Sequence, residues 1–251
     1  GLGIIMLFIA VLPSLGIESR DLYVAETTGP THSKASFTFT GTARKMWILY
    51  VILTLLQSVL MCLGGMDVFD SVCHAMSTMA TGGFSTKSNS IAYWDSAYIQ
   101  YVIIIFMFIA GINFGLVFTA IKGNWRKLIK DNEFQQYLLI TIVASIIIGI
   151  GLYASNWGSF EKSFRNAIFQ VVTIITTTGF ATADYLLWPP LLGLILFLLF
   201  FAGASAGSTA GGFKIVRVYL LFKNSFTELK RIIHPNGIIT VKYNGKSVHP
   251  D

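Results

Sequence analysis

The sequence predicts an all-α membrane protein made of tandem, parallel helix–re-entrant loop–helix repeats, with a broken last helix. Three observations carry this reading. Hydrophobic residues make up 54% of the 251 residues and charged ones only 12%, with mean hydropathy +0.66; a soluble domain carries roughly a quarter charged residues. Four uncharged stretches, 46–66, 96–121, 134–157 and 185–213, reach the about 20 residues that cross a bilayer. Finally, "STMATGGFST" (77–86) returns ninety-six positions later as "TIITTTGFAT" (173–182).

In chain order, "GLGIIMLFIAVLPSLGI" at 1–17 has no initiator Met and no basic n-region, so it reads as the tail of a spanning helix rather than a signal peptide. The polar end "VKYNGKSVHPD" stops without a terminal element, and the expectation is a piece of a longer protein. The basic residues cluster at the ends of oily segments. Loops 18–45, 122–133 and 214–251 hold fifteen of the eighteen Lys and Arg, and 64–97 and 154–184 hold Lys87, Lys162 and Arg165. The positive-inside rule makes the first set cytoplasmic. The net charge of +6 is therefore a topology signal and calls for no nucleic acid. Cys62 and Cys73 have no metal or redox spacing and read as inert thiols. His32, His74, His234 and His249 are scattered.

Each repeat runs in to out, makes a short excursion on the outer side, and returns. The excursions, 68–84 and 160–180, are too short and polar to span. Val68 to Ala80 suits a half-helix of about three turns. Both units point the same way, unlike the inverted repeats of many secondary transporters. Non-helical backbone at membrane depth is tolerated where protein buries it or water lines it. Glycines there allow backbone angles that turn successive carbonyls toward one axis. Threonine hydroxyls add oxygens, and each half-helix ends with a partial negative charge. No Asp, Glu, Lys, Arg or His lies in 77–86 or 173–182. Such a site suits a dehydrated monovalent cation held by dipoles.

The last span contains "GASAGSTAGG", Gly203 to Gly212. Its residues admit two readings. Gly203, Gly207 and Gly211 form a GxxxGxxxG packing face, or the run is a poor helix that breaks in the membrane. Asn113 at membrane depth reads as a helix–helix hydrogen bond, and Asp95 and Asp184 as caps or weak cation attractors. Tyr93, Trp94, Tyr98, Tyr185 and Trp188 fit an outer aromatic belt.

"STMATGGFST", "TTTGFATADYLLWP", "FAGINFGLVF" and "AGSTAGGFKIVR", in this order, resemble the Trk/Ktr/HKT superfamily of potassium transporters, most closely its bacterial TrkH type. The resemblance covers essentially the whole chain. It implies a potassium-channel-like fold of four units around one pore. Residues 1–17 become the tail of the first unit, 18–45 a cytoplasmic loop, and 46–121 the second unit. After the cytoplasmic loop 122–133 comes the third unit, 134–234, with an intramembrane loop at 203–213; residues 235–251 lead toward a missing fourth unit.

The resemblance further implies filter strands Thr81, Gly82, Gly83, Phe84 and Thr177, Thr178, Gly179, Phe180, with K⁺ held by the carbonyls of Thr81, Gly82, Thr177 and Thr178. It favours the broken reading of the last span. Gly203, Ala204, Ser205, Ala206, Gly207, Ser208, Thr209, Ala210, Gly211, Gly212 and Lys214 then form a gating loop. What it implies for the whole is K⁺ uptake, by symport or as a channel, in a bacterial inner membrane. The expected assembly is a homodimer with a cytosolic nucleotide-binding TrkA-like subunit, with K⁺ as the transported ion and no organic cofactor in this chain. A secondary transporter of another monovalent cation or small solute is the alternative. A membrane enzyme lacks the converging His, Asp, Glu or Cys cluster it needs.

Overall fold

The computed structural model describes residues 39–233, 241–244 and 246–248. The expected 1–17 tail, most of the 18–45 loop and much of 235–251 lie outside the described residues. The first repeat comprises α1 (Phe39–Leu63), α2 (Val68–Met79), α3 (Ala97–Ala110) and α4 (Phe114–Ile121), followed by the short α5 (Trp125–Lys130). The second comprises α6 (Asn132–Ala154), α7 (Phe160–Ile175), α8 (Pro190–Leu199) and α9 (Ile215–Ile233). A small antiparallel hairpin, β1 (Val241–Tyr243) and β2 (Lys246–Val248), adds to the helical architecture.

Arg44–Leu63 and Asn132–Ala154 are long and apolar enough to cross a bilayer unaided. Their outward faces are bare and apolar, with Ile52, Leu55, Val59 and Ile142, Ile146, Ile150 exposed. A solvent of lipid suits such faces, because nothing in hydrocarbon drives them inward. The excursions fold as the half-helices α2 and α7. Asp67 Oδ2 accepts from Phe69 N–H at 3.1 Å to start α2, and Ser159 Oγ accepts from Lys162 N–H to start α7. The two end at Met79 and Ile175, the same ninety-six residues apart as the repeated strings.

The core lies where α3 and α6 pack against α7 and α1 packs against α2 and α3. Ile103, Met107, Phe169 and Ile175 are fully buried there. Tyr137 of α6 stacks on Phe108 of α3, centroids 4.6 Å apart, and donates its hydroxyl hydrogen to the Phe108 carbonyl at 3.2 Å. The two repeats are therefore one packed body. Trp188 departs from the aromatic-belt expectation: it is buried among α6, α7 and α8. Tyr93 and Tyr98 remain exposed.

Stretch 96–121, expected as one uninterrupted span, is broken. The α3 and α4 axes differ by 107° across residues 111–113. Asn113 explains the break locally, since its Oδ1 accepts from Gly115 N–H at 2.8 Å and Leu116 N–H at 3.4 Å, capping α4. Stretch 185–213 is broken more widely, with residues 200–214 separating α8 from α9. The two breaks meet. Ser205 N–H donates to Gly111 O at 3.0 Å, Thr209 N–H to Ala110 O at 3.2 Å, and Phe114 N–H to Gly207 O at 3.1 Å. Asn113 Nδ2 adds a bond to Ala206 O at 2.7 Å. Each helix end supplies the partners that the other lacks.

Removing this cap should loosen both breaks together. Asn113→Ala is expected to lower unfolding free energy by about 2 kcal/mol, from one lost N-cap and one orphaned carbonyl, measured as a lowered thermal midpoint of the detergent-solubilised protein.

Candidate filter strands and intramembrane loop

Immediately after α2 and α7, the chain does the same thing twice. Thr81 and Thr177 have left-handed φ of 51° and 53°, and Gly83 and Gly179 have φ of 69° and 91°, while Gly82 and Thr178 between them do not. Left-handed backbone is disfavoured for Thr and open to Gly. This alternation lets successive carbonyls swing toward one side rather than alternate as in a strand. The hydrogen bonds repeat as well. Thr81 N–H donates to Thr78 O and Thr177 N–H to Ile174 O, at 3.0 and 2.9 Å. Gly82 N–H donates to Ser77 O and Thr178 N–H to Thr173 O, at 2.7 and 2.9 Å. The strings touch each other: a Cβ on Gly83 would sit 1.9 Å from Thr178 O.

Side chains behind the strings hold them in place. Thr86 donates to Asp70 Oδ1 at 2.6 Å, and Thr182, ninety-six residues on, donates to Asn166 Oδ1 at 3.2 Å. Lys87 pairs with Asp70 at 3.1 Å. The Thr86 hydrogen bond, helped by Lys87, holds the Asp70 carboxyl below its ordinary value. Buried His74 bridges the Asp70 carbonyl at 2.7 Å and Ser85 Oγ at 2.8 Å. Its counterpart Gln170 has an alanine, Ala181, at the position equivalent to Ser85, and Gln170 Oε1 is left without a partner. The phenylalanines diverge too. Phe180 is 1% exposed and lies 5.8 Å from the His74 ring, whereas Phe84 is 82% exposed.

The 200–214 segment is a closed loop. Gly203 N–H donates to Phe213 O at 2.6 Å and Ile215 N–H to Ala204 O at 3.3 Å, drawing its ends together. Its interior residues Ala204, Ser205, Ala206, Ser208, Thr209 and Ala210 are buried, and Lys214 Nζ donates to the Ala210 carbonyl. The loop lies against both strings. Thr81 Oγ1 donates to Thr209 O at 2.9 Å, and Gly211 N–H donates to Thr177 Oγ1 at 2.7 Å. Two equivalent threonines thus grip one loop, one as donor and one as acceptor.

The expected strand and loop residues come together in one region. Asn113 bonds this loop instead of another helix, Asp184 caps the 3₁₀ turn Tyr185–Leu187, and Ser96, not Asp95, caps α3. Sequence reasoning passed over Asp70, Asn166, His74 and Glu133. The ninety-six-residue offset that aligns Thr86 with Thr182 also aligns Asp70 with Asn166, so that pair was available. Glu133 carried no such signal. Among the described residues no group of three or more His, Cys, Asp or Glu could hold a metal ion.

Residues 1–251 match the TrkH family of cation transport proteins. The chain belongs to that family. It is 39% identical over 251 residues to the Trk system potassium uptake protein TrkH of Escherichia coli strain K12, which covers 99% of this chain and 52% of that protein. TrkH of Halomonas elongata is 38% identical over 257 residues, covering 100% of this chain and 52% of its own. The crystal structure of the potassium transporter TrkH from Vibrio parahaemolyticus matches with a TM-score of 0.82 at 35% identity, over 99% of this chain and 51% of that one. The chain spans about half the length of the curated relatives it matches.

Two expected outcomes follow from the strand geometry. In the intact protein, Gly83→Ala should cut cation flux at least about tenfold, because the backbone must shift and left-handed alanine costs about 1–2 kcal/mol. Gly82→Ala should retain flux: its new Cβ meets the Phe84 ring at 3.3 Å and the Ser77 carbonyl oxygen at 3.7 Å, and the second copy already carries Thr178 there. For Asp70 the folded value is lowered, so its stabilising share is present above the ordinary aspartate range and is lost as pH falls through the folded value. Thermal midpoints of the wild type should therefore drop more steeply in acid than those of Asp70→Asn, which copies Asn166 and keeps an acceptor for Thr86.

Proposed function

We propose that this chain supplies two adjacent quarters of a membrane pore for potassium uptake. The observation that carries the proposal is the doubled left-handed alternation at 81–83 and 177–179, with the same backbone hydrogen bonds at the same offset. The carbonyls of Thr81, Gly82, Thr177 and Thr178 replace the ion's water shell. With no charge in either string, selection rests on dipoles and favours monovalent cations. Family membership and relatives named as potassium uptake proteins support potassium as the ion. The bare Phe84 supports further quarters: its counterpart Phe180 is covered by the neighbouring repeat, and Phe84 has no such neighbour among the described residues.

Gly203 to Gly212 and Lys214 act as the gate. The loop lies directly against the first threonine of both strings, on the side of the basic, cytoplasmic loops. It gates by swinging or straightening, for which its small residues offer little resistance. The assembly is a homodimer in a bacterial inner membrane, regulated by a cytosolic nucleotide-binding subunit of the TrkA kind. The basic α9 reaches from the loop toward that face.

The test is ion flux into vesicles carrying the intact protein, comparing rubidium, potassium and sodium. Rubidium and potassium should pass and sodium much less; equal passage of all three would sink the filter assignment, and so would an unchanged ratio in Gly179→Ser. Shortening 204–210 should raise flux without any regulatory partner. Unchanged flux with unchanged regulation would sink the gate.

A further inference from the structure

Glu133 is an acidic residue that neither the strings nor the loop sequence brings to notice, and it is 5% exposed. It stands in the first turn of α6, beside the helix cap Asp131. Its Oε1 accepts from Ala206 N–H at 2.6 Å. The other polar group of the same residue, Ala206 O, accepts from Asn113 Nδ2 at 2.7 Å. Two side chains from two different elements therefore hold both backbone groups of one loop residue.

The cytoplasmic hairpin adjoins the same segment. Tyr243 is buried, with its hydroxyl close to the Glu133 carboxyl. Its neighbour Asn244 donates to Asp131 Oδ2 at 2.8 Å and accepts from Asn132 N–H at 3.0 Å. Residues 131–133 are thus gripped by 243–244 on one side and grip Ala206 on the other.

We propose that Glu133 is a positioning residue that latches the intramembrane loop in its blocking conformation through Ala206, and that Tyr243 steadies the latch. This rests on the reading of the loop as a gate. Releasing the carboxylate removes one of the two side-chain holds on Ala206 and loosens the middle of the loop, while Thr81 and Thr177 still hold its filter side. The hairpin then gives the cytoplasmic face a hydrogen-bonded route to the gate, through Asn244 and residues 131–133 to Ala206.

The experiment measures rubidium flux into vesicles containing the intact protein without any cytosolic partner or nucleotide, together with potassium-to-sodium ratios. Glu133→Ala is expected to raise basal flux about tenfold, as the loss of one hydrogen bond to a buried backbone N–H allows. The isosteric Glu133→Gln keeps an acceptor for Ala206 N–H and should leak less, and Tyr243→Phe less again; the ion ratio should stay at the wild-type value in all three. A merely structural role predicts the opposite, lower flux of every ion with no leak. Wild-type basal flux in the Glu133 variants alongside a leaky 204–210 deletion overturns the latch and spares the gate. Wild-type basal flux in all of them overturns both.

Discussion

A backbone N–H or C=O at membrane depth must find a partner, and the rest of this structure follows from how that demand is met. Helices α3 and α8 both stop within apolar stretches long enough to cross a bilayer, where their freed carbonyls and amides need partners from the protein. Across the break, Ala110 O and Gly111 O accept from Thr209 and Ser205, while Gly207 O accepts from Phe114. Neither break is affordable alone. Together they close a set of hydrogen bonds and deposit a buried loop directly against the two threonine–glycine strings.

The two repeats show which features that geometry needs and which it tolerates losing. The left-handed pairs, Thr81 with Gly83 and Thr177 with Gly179, are kept in both copies. So is a side-chain acceptor for the trailing threonine, although it is a carboxylate at Asp70 and an amide at Asn166. The ring support is not kept. His74 finds Ser85, but Ala181 stands at the equivalent position for Gln170, whose Oε1 is unpaired. Backbone conformation is held alike while its buttresses have drifted, as expected if carbonyl placement is what the strings are for.

Much of the candidate site was legible because it is local. Oily stretches, basic flanks and a doubled glycine string are properties of consecutive residues, and hydrophobic length with charge asymmetry is enough to lay out spans and sides. The half-helices ending ninety-six residues apart follow from the same repeat. The 107° bend after Ala110 was not legible. Stretch 96–121 carries no charge, and Asn113 inside it reads as a helix–helix hydrogen bond unless the loop that pairs with the exposed carbonyls is known. Trp188 likewise has belt chemistry by type, and only the packing of α6, α7 and α8 around it makes it a core residue.

By itself the sequence determined a helical membrane chain, its repeat and the two strings where glycine and threonine interrupt the oil. Those depend on composition and spacing. Which groups meet was decided only by the tertiary structure: Thr81 and Thr177 on one loop, Gly83 against Thr178 O, and Ala206 held between Asn113 and Glu133. Glu133 and Ala206 are seventy-three residues apart, and nothing in the chemistry of either names the other. Hydrogen bonds satisfy whatever the packing brings within three ångströms, so pairings at that range are set by the fold and not by the local pattern.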